Sequence, residues 1–132
     1  MSASAAGRDV KRILVVEDDF DLREALKELL ESRGFKVESA ADGLEALLLL
    51  RGGTTPCVIL LDLTMPIMNG WEFRAEQTAD PHLAAIPTII VSAAGKEAMR
   101  DLHPDGTVPK PIDLDKLTKL LKTHCIHNHR FA

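Results

Sequence analysis

Three short runs of unbroken apolar residues constrain this chain more than anything else in it: Ile13-Leu14-Val15-Val16, Cys57-Val58-Ile59-Leu60-Leu61 and Ile89-Ile90-Val91. Each is too short for a buried helix, is rich in branched side chains and is bounded by polar or turn-forming residues. That is the pattern of a strand covered on both faces, which belongs in a parallel sheet. Each run also ends in polar chemistry, with Glu17-Asp18-Asp19 after the first, Asp62 after the second and Ser92 closing the third. Open parallel sheets bind ligands outside the carboxyl ends of their strands. Taken alone, Asp62 reads equally well as a turn residue or a helix cap, so the other acids carry the argument.

Between the runs the spacing changes to that of helices. Leu22, Ala25, Leu26, Leu29 and Leu30 form an i, i+3, i+4, i+7, i+8 stripe that Gly34 terminates, with Asp19 or Asp21 available as its cap. Phe35 to Ser39 alternates apolar and polar residues as an edge strand does, and Asp42 can cap a helix carrying Leu44, Leu47 and Leu48 that ends near Gly52-Gly53. Met65 to Gly70 reads as a loop, and Asn69 caps a helix through about Thr78 whose Trp71 and Phe73 are read as packing residues. Ala93 to about Leu102 predicts a short helix, Thr107-Val108-Pro109 a short edge strand, and Leu114, Leu117, Leu120 and Leu121 a last helix capped by Asp113. The fold class that follows is α/β, a doubly wound five-stranded parallel sheet in the order 2-1-3-4-5. Residues 1–10 and 124–132 are expected to be loose tails around a folded unit at 11–123.

A chain of 132 residues suits one domain. Its net charge of −4 lacks the basic excess that phosphate-backbone binding needs, so nucleic acid is excluded as a direct partner. No stretch is apolar for the roughly 20 residues a bilayer requires, and the amino terminus has no apolar signal core, so no membrane association and a cytoplasmic location are expected. The two cysteines, Cys57 and Cys125, are expected to be free thiols.

In the order 2-1-3-4-5, strands one and three are neighbours, so Glu17, Asp18 and Asp62 converge on one crevice that Ser92 and Lys110 also face. Carboxylates so close repel one another and remain ionised only with a cation present. An all-oxygen set with room for waters suits Mg²⁺. An ionised carboxylate beside a metal and a lysine can attack phosphorus without a general base, and a serine hydroxyl can then donate to a phosphoryl oxygen. The plainer reading is a structural Lys110–Asp62 ion pair with Ser92 idle.

Four blocks, in order and suitably spaced, carry a resemblance. Ile13 to Asp19, Leu61 to Pro66 with Asn69 to Phe73, Pro87 to Ala93, and Lys110-Pro111 resemble the receiver domain of two-component response regulators over about Lys11 to Lys122. The resemblance implies a flavodoxin-like (βα)5 fold with Asp62 as phosphoacceptor. It implies Asp18 as a direct metal ligand, Glu17 as a ligand mainly through water, the Thr64 backbone carbonyl completing the set, and Lys110 and Ser92 as the residues that sense the phosphoryl group. It also implies a cis Lys110-Pro111 bond, a histidine kinase or histidine phosphotransfer protein as donor, and a downstream protein as listener. The chain would be no enzyme beyond catalysing its own phosphorylation and dephosphorylation. It departs from the family in carrying Thr107 where an aromatic residue is common, a shortened segment from Gly95 to Gly106 and Pro109 before the lysine. Ala94, lacking a side chain that could guide water, predicts a long-lived phosphoryl group.

Other readings remain open at this point. Met1 and the tail suggest a stand-alone protein, against a receiver excised from a hybrid kinase. A flavin or small-molecule module on the same architecture lacks a phosphate-binding loop after strand one, where Glu17-Asp18-Asp19 would repel phosphate without metal. A phosphohydrolase would want its nucleophile after the first strand.

Overall fold

The computed structural model describes residues 11–129, apart from the side chains at 96, 100 and 126–129. The expected loose tail at 1–10 lies outside the described residues. In chain order the elements are β1 (Lys11–Val16), α1 (Phe20–Ser32), β2 (Phe35–Ala40), α2 (Gly43–Arg51), β3 (Val58–Asp62), α3 (Gly70–Ala79), β4 (Thr88–Ser92), α4 (Lys96–Met99) running into a 3-10 turn (Arg100–Leu102), β5 (Gly106–Pro109) and α5 (Leu114–His129). All strand pairs are parallel and the sheet order is β2-β1-β3-β4-β5, the doubly wound arrangement that the apolar runs imply.

Alternation along the strands splits the core in two. Ile13, Val15, Val58, Leu60, Ile89 and Val91 face one layer, where they meet Leu26 and Leu30 of α1 and Leu117, Leu121 and Cys125 of α5. Leu14, Val16, Ile59, Leu61 and Ile90 face the other, against Ala46, Leu47 and Leu50 of α2, Phe73 of α3 and Met99 of α4. With both faces covered, no polar residue appears from Ile13 onward in β1 or from Val58 onward in β3 until each strand reaches its end. The capping residues act as the sequence suggests. Asp19 accepts from Leu22 N–H, Asp42 from Glu45 N–H, and Asn69 and Glu72 form a reciprocal capping box.

Four expectations change. In α2 the buried face is Gly43, Ala46, Leu47 and Leu50, while Leu44 and Leu48 are exposed. Leucines at 47–50 leave the periodicity ambiguous; the face is selected by Gly43, where a Cβ would come within 2.8 Å of the Met68 side chain. The α4 segment is only four residues of α-helix before the 3-10 turn, and His103 ends it at a φ of 47°. The last helix does not stop at His124 but continues through His129, because Cys125 extends its buried face. Cys57 and Cys125 are not free thiols: they form a disulfide, with Cα atoms 5.0 Å apart and 68 residues between them in sequence. Spacing gives no hint of this pair, since only the packing of α5 on β3 brings it together.

Candidate functional site

Register assembles the site. Val16 pairs with Leu61, Asp62 with Val91 and Ser92 with Pro109, so the residues at or just past those rungs, Glu17, Asp62, Ser92 and Lys110, emerge at one sheet edge. Lys110 N–H donates to the Ser92 carbonyl at 3.1 Å, tying the last two strand ends together. Close packing then fixes the loop after β3. Gly70 begins α3 so near the strand end that a Cβ there would lie 2.5 Å from the Asp62 carbonyl oxygen.

The resulting crevice, about 290 Å³, is lined by the three acids Glu17, Asp18 and Asp19 together with Asp62, Thr64, Ser92, Ala94 and Lys110. Ligand oxygens of Glu17, Asp18 and Asp62 all lie within 4.8 Å of one another. Lys110 Nζ reaches Glu17 Oε1 at 3.2 Å and Asp62 Oδ1 at 3.4 Å. Leu63 N–H also donates to Asp62 Oδ1, at 2.9 Å, and Asp19 N–H to Glu17 Oε2 at 3.1 Å. Ser92 Oγ accepts from Ala94 N–H at 3.0 Å. The sequence-based site is thus brought together whole. Thr64 lines the crevice, and Asp19 is engaged as a helix cap.

Electrostatically the crevice is undercompensated. Burial raises the Asp62 carboxyl above its ordinary value despite the Lys110 ammonium and the Leu63 amide, and the charge of Asp18 adds to the rise. Glu17 is raised by burial and by Asp62, against the Asp19 amide and Lys110. Burial alone would lower Lys110, but the Asp62 and Glu17 carboxylates outweigh it and raise the ammonium. One ammonium does not balance three carboxylates. A hard divalent cation with oxygen ligands fits the donor set that is present.

Two groups near or behind the site were not anticipated. Arg23 of α1 lays its guanidinium on the Glu17 and Asp18 carbonyls. Arg74 of α3, with Gln77 and Thr88, forms a buried polar network behind β4. Arginines on amphipathic helices ordinarily read as solvated, so nothing in the sequence marks either one. The Lys110-Pro111 peptide bond is cis, and Trp71, expected to pack, is exposed, with its indole N–H donating to the Ala98 carbonyl.

Comparison with known proteins supplies the family. A family model described as the response regulator receiver domain matches residues 13–122. This chain belongs to that family. The receiver domain is 35% identical over 117 residues to a transcriptional regulatory protein CpxR homolog of Haemophilus influenzae, a match covering 86% of this chain and 49% of that protein. It is 37% identical over 108 residues to the response regulator MprA of a Mycobacterium species, covering 80% of this chain and 46% of MprA. The chain therefore spans about half the length of the curated relatives it matches. Among solved structures, the signal receiver domain of a signal transduction histidine kinase from Syntrophus aciditrophicus superposes with a TM-score of 0.81 at 30% identity, covering 89% of this chain and 92% of that one. The response regulator TrrA from Thermotoga maritima, solved in complex with Mg²⁺ and BeF, gives a TM-score of 0.77 at 30% identity, covering 86% and 98%. Among the described residues of this receiver domain, no helix is long and apolar enough to cross a membrane.

Proposed function

We propose that this receiver accepts a phosphoryl group on Asp62 in a Mg²⁺-dependent reaction and that the modified form changes its protein contacts. The observation that carries the reading is the convergence of the Glu17, Asp18 and Asp62 carboxylates within 4.8 Å, with Lys110 3.2 to 3.4 Å from two of them. The TrrA complex, which holds Mg²⁺ and BeF, supports it by analogy. Asp18 and Asp62 would hold the metal directly, Glu17 through water, and the Thr64 carbonyl would complete the protein ligands. Bound there, Mg²⁺ supplies charge neutralisation for the incoming phosphoryl oxygens.

Asp62 Oδ1 already takes Leu63 N–H and lies beside Lys110, which leaves the other carboxylate oxygen to attack phosphorus. An O–P bond forms as the N–P bond of a phosphohistidine breaks, and the leaving imidazole keeps that electron pair. The donor is accordingly a histidine kinase or a histidine phosphotransfer protein. Lys110 then steadies a phosphoryl oxygen, and Ser92 rotates from its bond with Ala94 N–H to donate a hydrogen bond to another. The protein turns over no external product beyond its own phosphorylation and dephosphorylation. Because Ala94 faces the crevice with no polar side chain, the phosphoryl group persists for minutes rather than seconds.

Incubation with Mg²⁺ and acetyl phosphate, read by intact mass, tests the reading. Wild type gains one phosphoryl group and Asp62→Asn gains none; equal labelling of the two removes the assignment. A second reading, a receiver segment of a larger hybrid kinase, is favoured by the Syntrophus kinase receiver, 92% of which this chain covers. Immunoblotting for the native size of the protein separates the two.

A further inference from the structure

Residue 23 accounts for every main-chain carbonyl of the acid run. Arg23 N–H donates to the Asp19 carbonyl at 2.9 Å, while its Nη1 donates to the Glu17 carbonyl at 2.8 Å and reaches the Asp18 carbonyl at 3.4 Å. The guanidinium is held in place from its own helix, 5.4 Å over the Phe20 ring. With these carbonyls drawn toward α1, the Glu17 and Asp18 carboxylates are left to converge with Asp62.

We propose that Arg23 is a positioning residue for the cation site: through the Glu17 and Asp18 carbonyls it fixes the backbone of the acid loop and so preorganises the two carboxylates. The assignment rests on the crevice being the Mg²⁺-dependent acceptor site. Two physical effects of Arg23 act in opposite directions. As a positive charge near the site it weakens cation binding, and that effect is screened because the side chain is partly solvated. As a clamp it spares the metal the cost of ordering a loop of three consecutive acids. The clamp is the larger effect, because a planar guanidinium fixed over the Phe20 ring holds Nη1 against both carbonyls, whereas an ammonium on a flexible stem must first be ordered to do the same.

The opposite signs make the test decisive. Full-length wild type, Arg23→Met, Arg23→Lys and Asp18→Asn are titrated with Mn²⁺, following free Mn²⁺ by its paramagnetic resonance, with thermal midpoints in EDTA as the check on folding. Arg23→Met is expected to bind Mn²⁺ about tenfold more weakly, the lower end for groups that orient metal ligands. Arg23→Lys recovers roughly half of that loss on a logarithmic scale, since an ammonium keeps the charge and the donors but not the fixed, ring-stacked geometry. The EDTA midpoints of both variants stay within a few degrees of wild type. Unchanged or tighter binding by Arg23→Met, with Asp18→Asn impaired, overturns the role of Arg23 alone. Absence of Mn²⁺ binding by wild type, or wild-type affinity in Asp18→Asn, overturns the crevice reading and this assignment with it.

Discussion

Among the described residues, two charge clusters with buried members are built on opposite principles. At the carboxyl edge of the sheet, three carboxylates converge and Lys110 contacts two of them, Glu17 and Asp62, both of which have raised pKa values. Behind β4, the Arg74 guanidinium is surrounded by neutral acceptors: the Leu102 carbonyl at 3.0 Å, the His103 carbonyl at 3.0 Å, Gln77 Oε1 at 2.8 Å and Thr88 Oγ1 at 3.1 Å. Gln77 passes the network on by donating to the Leu83 and Ile86 carbonyls. Burial lowers the Arg74 pKa and the charge of Asp105 works against that, yet arginine remains charged at any physiological pH. The first cluster is left short of positive charge, which suits it to take up a cation; the second is saturated and only holds structure. Saturation suits its place, for it ties α3 to the turn after α4, a segment with just four α-helical residues of its own.

The largest effect expected from the contrast is on the first cluster. Lys110→Met removes the only ammonium in contact with Glu17 and Asp62 among the described residues. The rate of Asp62 labelling by acetyl phosphate should fall by about 100-fold, as for loss of one preorganised electrostatic group. Stopped samples read by intact mass give the rate. A change under threefold would mean that the ammonium is structural there, and the contrast would collapse.

Gly70→Ala comes next, acting on the frame of the crevice rather than its charge. Its Cβ would meet the Asp62 carbonyl at 2.5 Å and Leu63 Cα at 2.7 Å. Neither neighbour is a flexible side-chain end, so either β3 or α3 must shift. Overpacking of this kind costs about 3 kcal/mol or more, visible as a lower urea midpoint accompanied by weaker Mn²⁺ binding.

Arg74→Met should destabilise by about 2 to 4 kcal/mol, because several buried acceptors lose a charged donor at once. Cation affinity at the crevice should stay within twofold, which is what separates a saturated cluster from a responsive one. Arg74→Met combined with Gln77→Leu should be less harmful than the two single losses added together, since each single change strands the partner of the other. Additive losses in urea melts would show that the two side chains are not one unit.

That experiment also bears on what the sequence discloses. The crevice was legible because each of its residues stands at or just after the end of an apolar strand, and parallel register does the rest. Glu17, Asp62, Ser92 and Lys110 needed no knowledge of loops. Arg74 was illegible for the opposite reason. In α3 it occupies a position indistinguishable from a solvated one, and it becomes buried only because residues 102–105 fold over it from far along the chain. Cys125 hid in the same way, its partner lying just before β3, 68 residues earlier. The face of α2 was misassigned for a different reason, since a run of leucines satisfies several helical phases and only the approach of Gly43 to Met68 selects one.

The smallest expected effect is on pH dependence, and it tests undercompensation most directly. Glu17 and Asp62 are raised in the folded protein relative to ordinary carboxylates, so the fold binds their protons more tightly than the unfolded chain does. Such groups contribute stability that is fully present below the unfolded carboxylate value, near 4, and is lost as pH rises through the raised folded values. In EDTA the unfolding free energy should therefore increase by about 1 kcal/mol per unit of combined shift as pH falls through that window. Lys110, raised from an already high value, stays charged throughout and contributes no slope there. Saturating Mg²⁺ should flatten the dependence and invert it at the acid end, because protonation then competes with the metal. Asp62→Asn should show a reduced slope even in EDTA, whereas Arg74→Met should keep the wild-type slope on a lower baseline. Parallel urea melts from pH 5 to 8 with and without metal read all of these, and a metal-free protein whose stability only falls toward acid would place the strain elsewhere than in the crevice.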